Sequence, residues 1–243
     1  MIIDFHAHCD VRFGWVHTPE VLLKMMAESN IDKAVITTYA DLPGDDPTTL
    51  ERFIGALEKY PDKIVAGFIR LNPWYGKRTE ELMEEVAKRP YIKGLKLHPM
   101  SIIMRPNDSP VLSLVKRAGD LGWPVYFHSG DEPISMPSHV GKAAKACPET
   151  KIIMGHTGGF FYWKDAIKNA SKYKNIYCET SATPFANAIR KAVDVIGPER
   201  VIFGSDMPAM HPTVELKKIE AADLSKDEKQ LILCDNAKQM LGL

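Results

Sequence analysis

Ile2-Ile3-Asp4-Phe5-His6-Ala7-His8 opens the chain as a short apolar run, rich in β-branched residues, that ends in two histidines. A run of this kind reads as a strand, and the residues at its end separate two parallel-sheet folds. An open doubly wound sheet usually carries a glycine-rich phosphate turn after its first strand; here His6-Ala7-His8 stands in that place. Seven more strand-like runs come after it, at 34–39, 64–71, 92–98, 125–128, 152–156, 176–180 and 201–206. Segments of helical periodicity separate them, near 19–29, 47–60, 78–88, 110–121, 139–146, 161–173 and 185–196, with a helical tail from about 213 onward. Eight strands in strict alternation with helices predict an α/β fold of the (β/α)8 TIM-barrel type.

The punctuation agrees with these boundaries. Gly122-Trp123-Pro124 and Gly197-Pro198-Glu199 each end a helix just ahead of a strand, as glycine and proline do at helix C-termini. No linker, repeat or low-complexity stretch interrupts the pattern, and 243 residues match the roughly 250 of such a barrel. Residues 1–243 are therefore read as one domain.

Hydrophobic residues make up 45% and charged residues 26% of the chain, enough to bury a core without disulfides. Basic and acidic residues balance at 31 each, so no broad field draws the protein to nucleic acid or to anionic lipid. No apolar stretch nears the roughly 20 residues that cross a bilayer. The first strand-like run begins at Met1-Ile2-Ile3, which leaves no room for a signal peptide, and a cytoplasmic location is expected. Cys9, Cys147, Cys178 and Cys234 are scattered without a CxxC pair, which suits small buried residues better than a thiolate site.

Side chains alternate faces along a strand, so Asp4, His6 and His8 are expected on one face and Ile3, Phe5 and Ala7 on the other. One histidine on an apolar strand is usually a hydrogen-bonded core residue. Here the pattern recurs: His98, His128, His156 and Asp206 also end expected strands. In a barrel the C-terminal strand ends converge around the axis. Two imidazoles from one strand, a third from strand five and a carboxylate from strand eight, namely His6, His8, His128 and Asp206, form a donor set that zinc and similar cations accept. Such a cation lowers the pKa of bound water from about 15.7 toward about 7. Asp206 could also take the water proton, and His156 could polarise a substrate oxygen or transfer a proton.

Lys96 shares a strand face with Gly94 and His98 and must offset its burial. Three readings stay open: a clamp for an anionic substrate, a structural ion pair, or a carboxylated lysine bridging two metals. Arg70 is a second candidate clamp or a rim ion pair, and Glu179 could orient a neighbour or satisfy a buried donor. Val21, Leu22, Met25 and Met26 read as a core-facing stripe, and the charge-rich stretch 215–229 as a solvated helical face. Phe160-Phe161-Tyr162-Trp163 could line the pocket mouth, a subunit contact or an ordinary helix interface.

These segments together resemble the amidohydrolase superfamily, in its amidohydrolase 2 branch. The resemblance rests on Ile3 to His8, Gly94-Leu95-Lys96-Leu97-His98-Pro99, Phe127-His128, Gly155-His156-Thr157-Gly158-Gly159, Phe203-Gly204-Ser205-Asp206-Met207-Pro208 and the closing Asn236-Ala237-Lys238-Gln239-Met240-Leu241. It implies that His6, His8, His128 and Asp206 hold one divalent metal ion, usually zinc, that His156 is a catalytic neighbour, and that a homodimer is common. Ligand identity alone does not fix the reaction. The expected activity is hydrolysis of a small carboxylate-bearing ester, lactone or amide by a metal-activated water, with Lys96, His98 and Arg70 binding substrate. The alternatives are decarboxylation of a small aromatic or unsaturated acid, and a non-enzymatic barrel that binds a metal or small ligand. The loops at 10–15, 39–46, 72–76 and 105–108 are expected to set the substrate.

Overall fold

In the computed structural model, which describes residues 1–12, 14–44 and 46–243, eight parallel strands form one sheet: β1 (Ile3–His8), β2 (Lys33–Thr37), β3 (Ile64–Arg70), β4 (Ile92–Leu97), β5 (Val125–Phe127), β6 (Ile152–Met154), β7 (Ile176–Glu179) and β8 (Val201–Ile202). The strands pair in sequence order. Three backbone hydrogen bonds draw the last strand and its loop onto the first: Phe5 N–H to Phe203 O at 3.0 Å, Asp206 N–H to His6 O at 2.8 Å and His8 N–H to Met207 O at 2.7 Å. This seam turns the sheet into the barrel that the alternation predicts.

Eight principal helices surround it: α1 (Pro19–Glu28), α2 (Thr48–Lys59), α3 (Lys77–Val86), α4 (Ser109–Asp120), α5 (Pro137–Ala146), α6 (Gly159–Lys172), α7 (Ala186–Ile196) and α8 (Pro212–Ala221). Most turn an apolar stripe inward; α8 buries Glu215 between Pro212 and Ile219. On α4 the buried residues are Val111, Leu114, Val115 and Ala118, the i, i+3, i+4, i+7 spacing of one helix face. The facing strand residues, among them Ile36, Leu95, Leu97, Val125, Phe127 and Met154, join this outer core. Alternate residues fill the barrel itself: Val35, Ala66, Phe68, Tyr126, Ile153 and Ile202 form a second cluster with Ile3 and Phe5. Parallel strands covered on both faces are apolar throughout, which is why the strand runs stood out in the sequence.

Strict alternation fails on β1. The register of β1 on β2 shifts between Asp4 and Ala7, and a bulge of this kind exchanges the two faces. Ile3 and Phe5 therefore pack in the barrel interior, whereas Ala7 packs in the outer core and His6 and His8 turn toward the axis. Strands six and eight also stop short of the expected His156 and Asp206. His156, Thr157 and Asp206 have φ of 58°, 43° and 61°, left-handed values that cost about 1–2 kcal/mol each for residues with a Cβ. Backbone hydrogen bonds from His156 N–H to Glu179 Oε2 and from Asp206 N–H to His6 O hold two of them there.

Two further departures involve polar residues. A small antiparallel hairpin, Asp10–Arg12 with Trp15–His17, comes after β1, where no strand was expected. The stretch 215–229 is not wholly solvated, because Glu215 is buried and pairs with Lys218, whose ammonium donates to the carbonyls of Thr180 and Thr183. The tail beyond α8 closes the barrel end opposite the site. Cys234 and Ala237 enter the interior cluster, and the Asn236 amide donates to Pro198 O and Val201 O, both at 2.7 Å. Among the described residues no helix is long and apolar enough to cross a membrane.

The interior has no slack at Gly94, where a Cβ would lie 2.5 Å from two atoms of the Phe68 ring. Gly94→Ala is expected to lower the unfolding free energy by about 1–3 kcal/mol, the usual cost of overfilling a packed core. Equilibrium urea denaturation measures this, and an unchanged midpoint would show that Phe68 can give way.

Candidate functional site

β1, β4 and the loop after β8 bring four side chains to one point. His6 Nε2 lies 3.1 Å from His8 Nε2 and 3.4 Å from Asp206 Oδ1, and His8 Nε2 lies 3.1 Å from the same carboxylate oxygen. Lys96 Nζ is 3.0 Å from His6 Nε2 and sits 3.7 Å from the centre of the Tyr126 ring. Four donors around one cation at about 2.1 Å stand roughly 3.4 Å apart when tetrahedral, so the three separations fit a single ion. The electron pairs of imidazole nitrogens and a carboxylate also repel one another without positive charge between them. His8 Nδ1 is buried with no hydrogen-bond partner among the described residues, so its ring is not held from behind as Tyr126 holds that of His6.

His128 is not one of these converging donors. Its Nδ1 lies 3.0 Å from His156 Nε2, its Nε2 lies 3.3 Å from Glu132 Oε2, and its ring stacks on His98 with centroids 4.0 Å apart. His156 is fully enclosed beneath the cluster, with Nδ1 2.9 Å from Ser181 Oγ and its backbone N–H on Glu179 Oε2 at 3.0 Å. Tyr126 Oη bridges 2.8 Å to His6 Nδ1 and 2.6 Å to Glu179 Oε2. His98 sits at the start of the short turn Pro99–Ile102, where Nδ1 accepts from Ser101 N–H at 3.3 Å. Arg70 is buried and paired with Asp41 at 2.5 Å, and it also donates to Ser101 Oγ at 2.7 Å.

A cavity of about 330 Å³ opens above the cluster, lined by His8, Tyr39, Arg70, Lys96, His98, Ser101, His128, Asp206 and Ala209. Larger clefts of about 480 and 500 Å³ lie between outer helices, and no histidine among the described residues lines them. Tyr39 stacks on His8 at 4.0 Å and 6°, so a flat aromatic surface forms part of the wall. Of the loops expected to set specificity, 39–46 contributes Tyr39 to this wall and Asp41 to Arg70. Phe13 and Asp45 lie outside the described residues. Phe160 and Phe161 are exposed and pack on each other, with Phe160 also against Phe185, and neither lines the cavity.

Burial dominates the electrostatics. It lowers His6, with the Lys96 ammonium adding to the effect, and lowers His8 against the pull of Asp206. Burial and the neighbouring His128 bring His156 down to about 3. Lys96 falls to about 7, again through burial, with Asp206 opposing. Burial pushes Asp206 up, but its hydrogen bond to His8 and the surrounding positive charge outweigh that and hold it at about 2. Glu179 is pushed up by burial and pulled back by donors from His156, Tyr126 and Ser181.

Sequence reading did not single out Tyr126, Glu132, Asp41 or Tyr39. Tyr126 was accessible to it: flanked by outward Val125 and Phe127 on β5, it points inward by parity. The other three lie on loops, where no periodicity applies.

An amidohydrolase family profile matches residues 3–243. The chain belongs to the amidohydrolase family. Solved structures similar to this amidohydrolase include 5-carboxyvanillate decarboxylase from Sphingomonas paucimobilis, with 16% identity, a TM-score of 0.75 and coverage of 100% of this chain and 99% of that one. A protein described as a probable 2-pyrone-4,6-dicarboxylic acid hydrolase from Acinetobacter baumannii, with citric acid bound, has 18% identity, a TM-score of 0.72 and coverage of 100% and 99%. A dihydroxybenzoic acid decarboxylase from Polaromonas sp., holding manganese and 2-nitroresorcinol, has 15% identity, a TM-score of 0.77 and coverage of 100% and 97%. At these identities the likeness is one of fold. No curated protein matches the sequence.

His156 carries a stability consequence. In the folded metal-free protein it gains a proton only near pH 3, against 6.5 for a free imidazole. Unfolding then takes up a proton between those values, so this contribution is complete above about pH 6.5 and is lost as the pH falls. At about 1.4 kcal/mol per pKa unit, the wild type should lose about 2 kcal/mol more than His156→Asn between pH 6.5 and 5. Urea midpoints of both proteins across that range give the comparison, and parallel slopes would mean that His156 titrates normally.

Proposed function

We propose that this amidohydrolase is a metal-dependent hydrolase acting on a small carboxylate-bearing ester, lactone or amide. The observation that carries the reading is the meeting of His6, His8 and Asp206 at the floor of a cavity whose wall holds Arg70 and Lys96. His6, His8 and Asp206 would hold one divalent cation, and His128 lines the same cavity beside them, its nitrogens turned to His156 and Glu132. Two imidazoles and a carboxylate suit zinc and also manganese, the ion held by the Polaromonas decarboxylase. When bound, the cation supplies a Lewis acid that polarises a carbonyl oxygen and acidifies water.

The chain's own groups supply the rest. Arg70, a donor without acceptor capacity, and Lys96, which an incoming carboxylate would favour in its charged form, stand on one cavity wall suited to a substrate carboxylate; Asp41 and Ser101 fix the plane of the Arg70 guanidinium. Holding that carboxylate orients the scissile bond over the floor. Asp206 and His156 are in proton-accepting forms at neutral pH, which is what removal of a proton from water needs and what protonation of a carbanion does not. A volume of about 330 Å³ limits the substrate to a small molecule.

Decarboxylation of a small aromatic acid is the second reading. The flat Tyr39 and His8 surface favours it, as does the likeness to two decarboxylases of aromatic acids.

Purified protein should contain about one equivalent of metal, and His6→Ala or His8→Ala should reduce this to a small fraction of it, since each removes one of three donors. Elemental analysis reads this directly, and two equivalents would revive a carboxylated Lys96. Turnover in heavy water then separates the reactions. Hydrolysis leaves product carbon without deuterium, and one deuterium on carbon would favour decarboxylation. Lys96→Met should raise KM for an anionic substrate by roughly 10–100-fold with a smaller change in kcat, the pattern of a binding clamp.

A further inference from the structure

Beneath the cavity lies a polar group that the proposed reaction does not use. We propose that the single carboxylate of Glu179, acting through the hydroxyls of Tyr126 and Ser181, fixes the tautomers of both His6 and His156, so that His6 presents its Nε2 lone pair to the point where His8 and Asp206 meet and His156 presents its own toward His128. The effect on metal affinity rests on the reading that His6 holds the cation; the tautomers themselves do not.

With Glu179 ionised, as its four donors favour, counting protons sets the direction of these hydrogen bonds. Glu179 Oε1 accepts from Ser181 N–H at 2.7 Å, and Oε2 accepts from His156 N–H at 3.0 Å. Backbone N–H groups can only donate, so these contacts need acceptor oxygens. Oε2 also meets Tyr126 Oη at 2.6 Å and Ser181 Oγ at 2.9 Å. Each hydroxyl has one hydrogen to donate, and the carboxylate accepts it. Tyr126 Oη, 2.8 Å from His6 Nδ1, and Ser181 Oγ, 2.9 Å from His156 Nδ1 and 3.4 Å from His6 Nδ1, therefore act as acceptors on their histidine sides. Both Nδ1 atoms then carry the proton of a neutral ring, and both Nε2 atoms carry the lone pair. For His6 that lone pair faces Asp206 Oδ1, His8 Nε2 and Lys96 Nζ, where a cation ligand must have it.

The surrounding glycines make room for this arrangement. A Cβ on Gly155 would stand 2.6 Å from Tyr126 Oη, and one on Gly204 would overlap Glu179 Oε1 and stand 2.9 Å from His6 Cβ. His6, His156 and Glu179 also meet the spacing of a metal cluster. The two hydroxyls already lie between their donor atoms, so the cluster is a hydrogen-bond network and not a second cation site. Direct contact is excluded as well, because His6 Nδ1 is 3.8 Å from Glu179 Oε2. Glu179, Tyr126 and Ser181 are thus positioning residues that act through the imidazoles.

Long-range 1H–15N spectra of histidine-labelled, metal-free protein test the assignment. In the wild type His6 and His156 should each show a protonated Nδ1 and an unprotonated Nε2. Tyr126→Phe should shift His6 toward a mixture of tautomers, leaving its Nδ1 only the longer Ser181 contact at 3.4 Å, with His156 unchanged, and Ser181→Ala should release mainly His156. Competition with a chelator for Zn²⁺ should give a Kd about 10–100-fold higher for Tyr126→Phe, the usual penalty for losing such a partner. A protonated Nε2 on His6 in the wild type would overturn the proposal, as would a Tyr126→Phe protein with the wild-type tautomer and a Zn²⁺ Kd within about threefold of the wild type. If Tyr126→Phe does not fold, the Ser181→Ala spectra test the same device at His156. Wild-type protein with the assigned tautomers but no Zn²⁺ binding would uphold the tautomer device and overturn the metal reading.

Discussion

The hydrogen bond from Asp206 N–H to the His6 carbonyl, 2.8 Å long, does two things at once. With its neighbour from His8 N–H to Met207 O it draws the last strand's loop onto the first strand and closes the ring. It also sets the Asp206 carboxylate against the His6 and His8 imidazoles, which leave the same strand two residues apart. The seam and the site are one piece of structure. Asp206 and His6, from opposite ends of the chain, become neighbours only because a parallel barrel has to join its first strand to its eighth.

That junction carries local strain. Asp206 adopts a left-handed backbone, as do His156 and Thr157 after β6 and Ala182 after β7. Positive φ in residues with a Cβ persists only where the surroundings overdetermine it. Here Asp4 receives Ser205 N–H at 2.9 Å, Thr157 Oγ1 donates to Glu179 O at 2.7 Å, and Lys218 donates to Thr183 O at 2.7 Å. Strand ends that simply ran straight would carry these side chains past the axis. The bends aim them inward.

Burial of charge explains the remainder of the arrangement. Asp4, Lys96, Glu179 and Glu215 lie almost wholly out of solvent, and an isolated charge there would be costly. Asp4 and Glu179 are met by serine and backbone donors and Lys96 by an imidazole and an aromatic face, whereas Glu215 has the Lys218 ammonium on one oxygen and no hydrogen-bond partner on the other among the described residues. The His6, His8 and Asp206 cluster is different in kind, since acceptor atoms face one another. A divalent cation at this point would relieve that opposition.

The alternation of eight apolar runs with helices was legible in the sequence, because a parallel strand covered on both faces must be apolar along its whole length and a covering helix must be apolar on one side. The histidines of strands one, five and six, Lys96 and Asp206 were legible for the same reason: polar residues at the ends of apolar runs stand out. What the sequence could not decide was direction and partnership. The β1 bulge put Phe5 inside with His6, the left-handed turn put His156 below the cluster, and His128 faced Glu132 and His156 in place of His6 and His8. Those outcomes depend on register and loop conformation, which long-range packing sets and local sequence does not encode. The sequence by itself determined where polar residues interrupt the apolar strands. The closed ring decided which of them meet, because only tertiary packing fixes separations of a few ångströms between strands far apart in the chain.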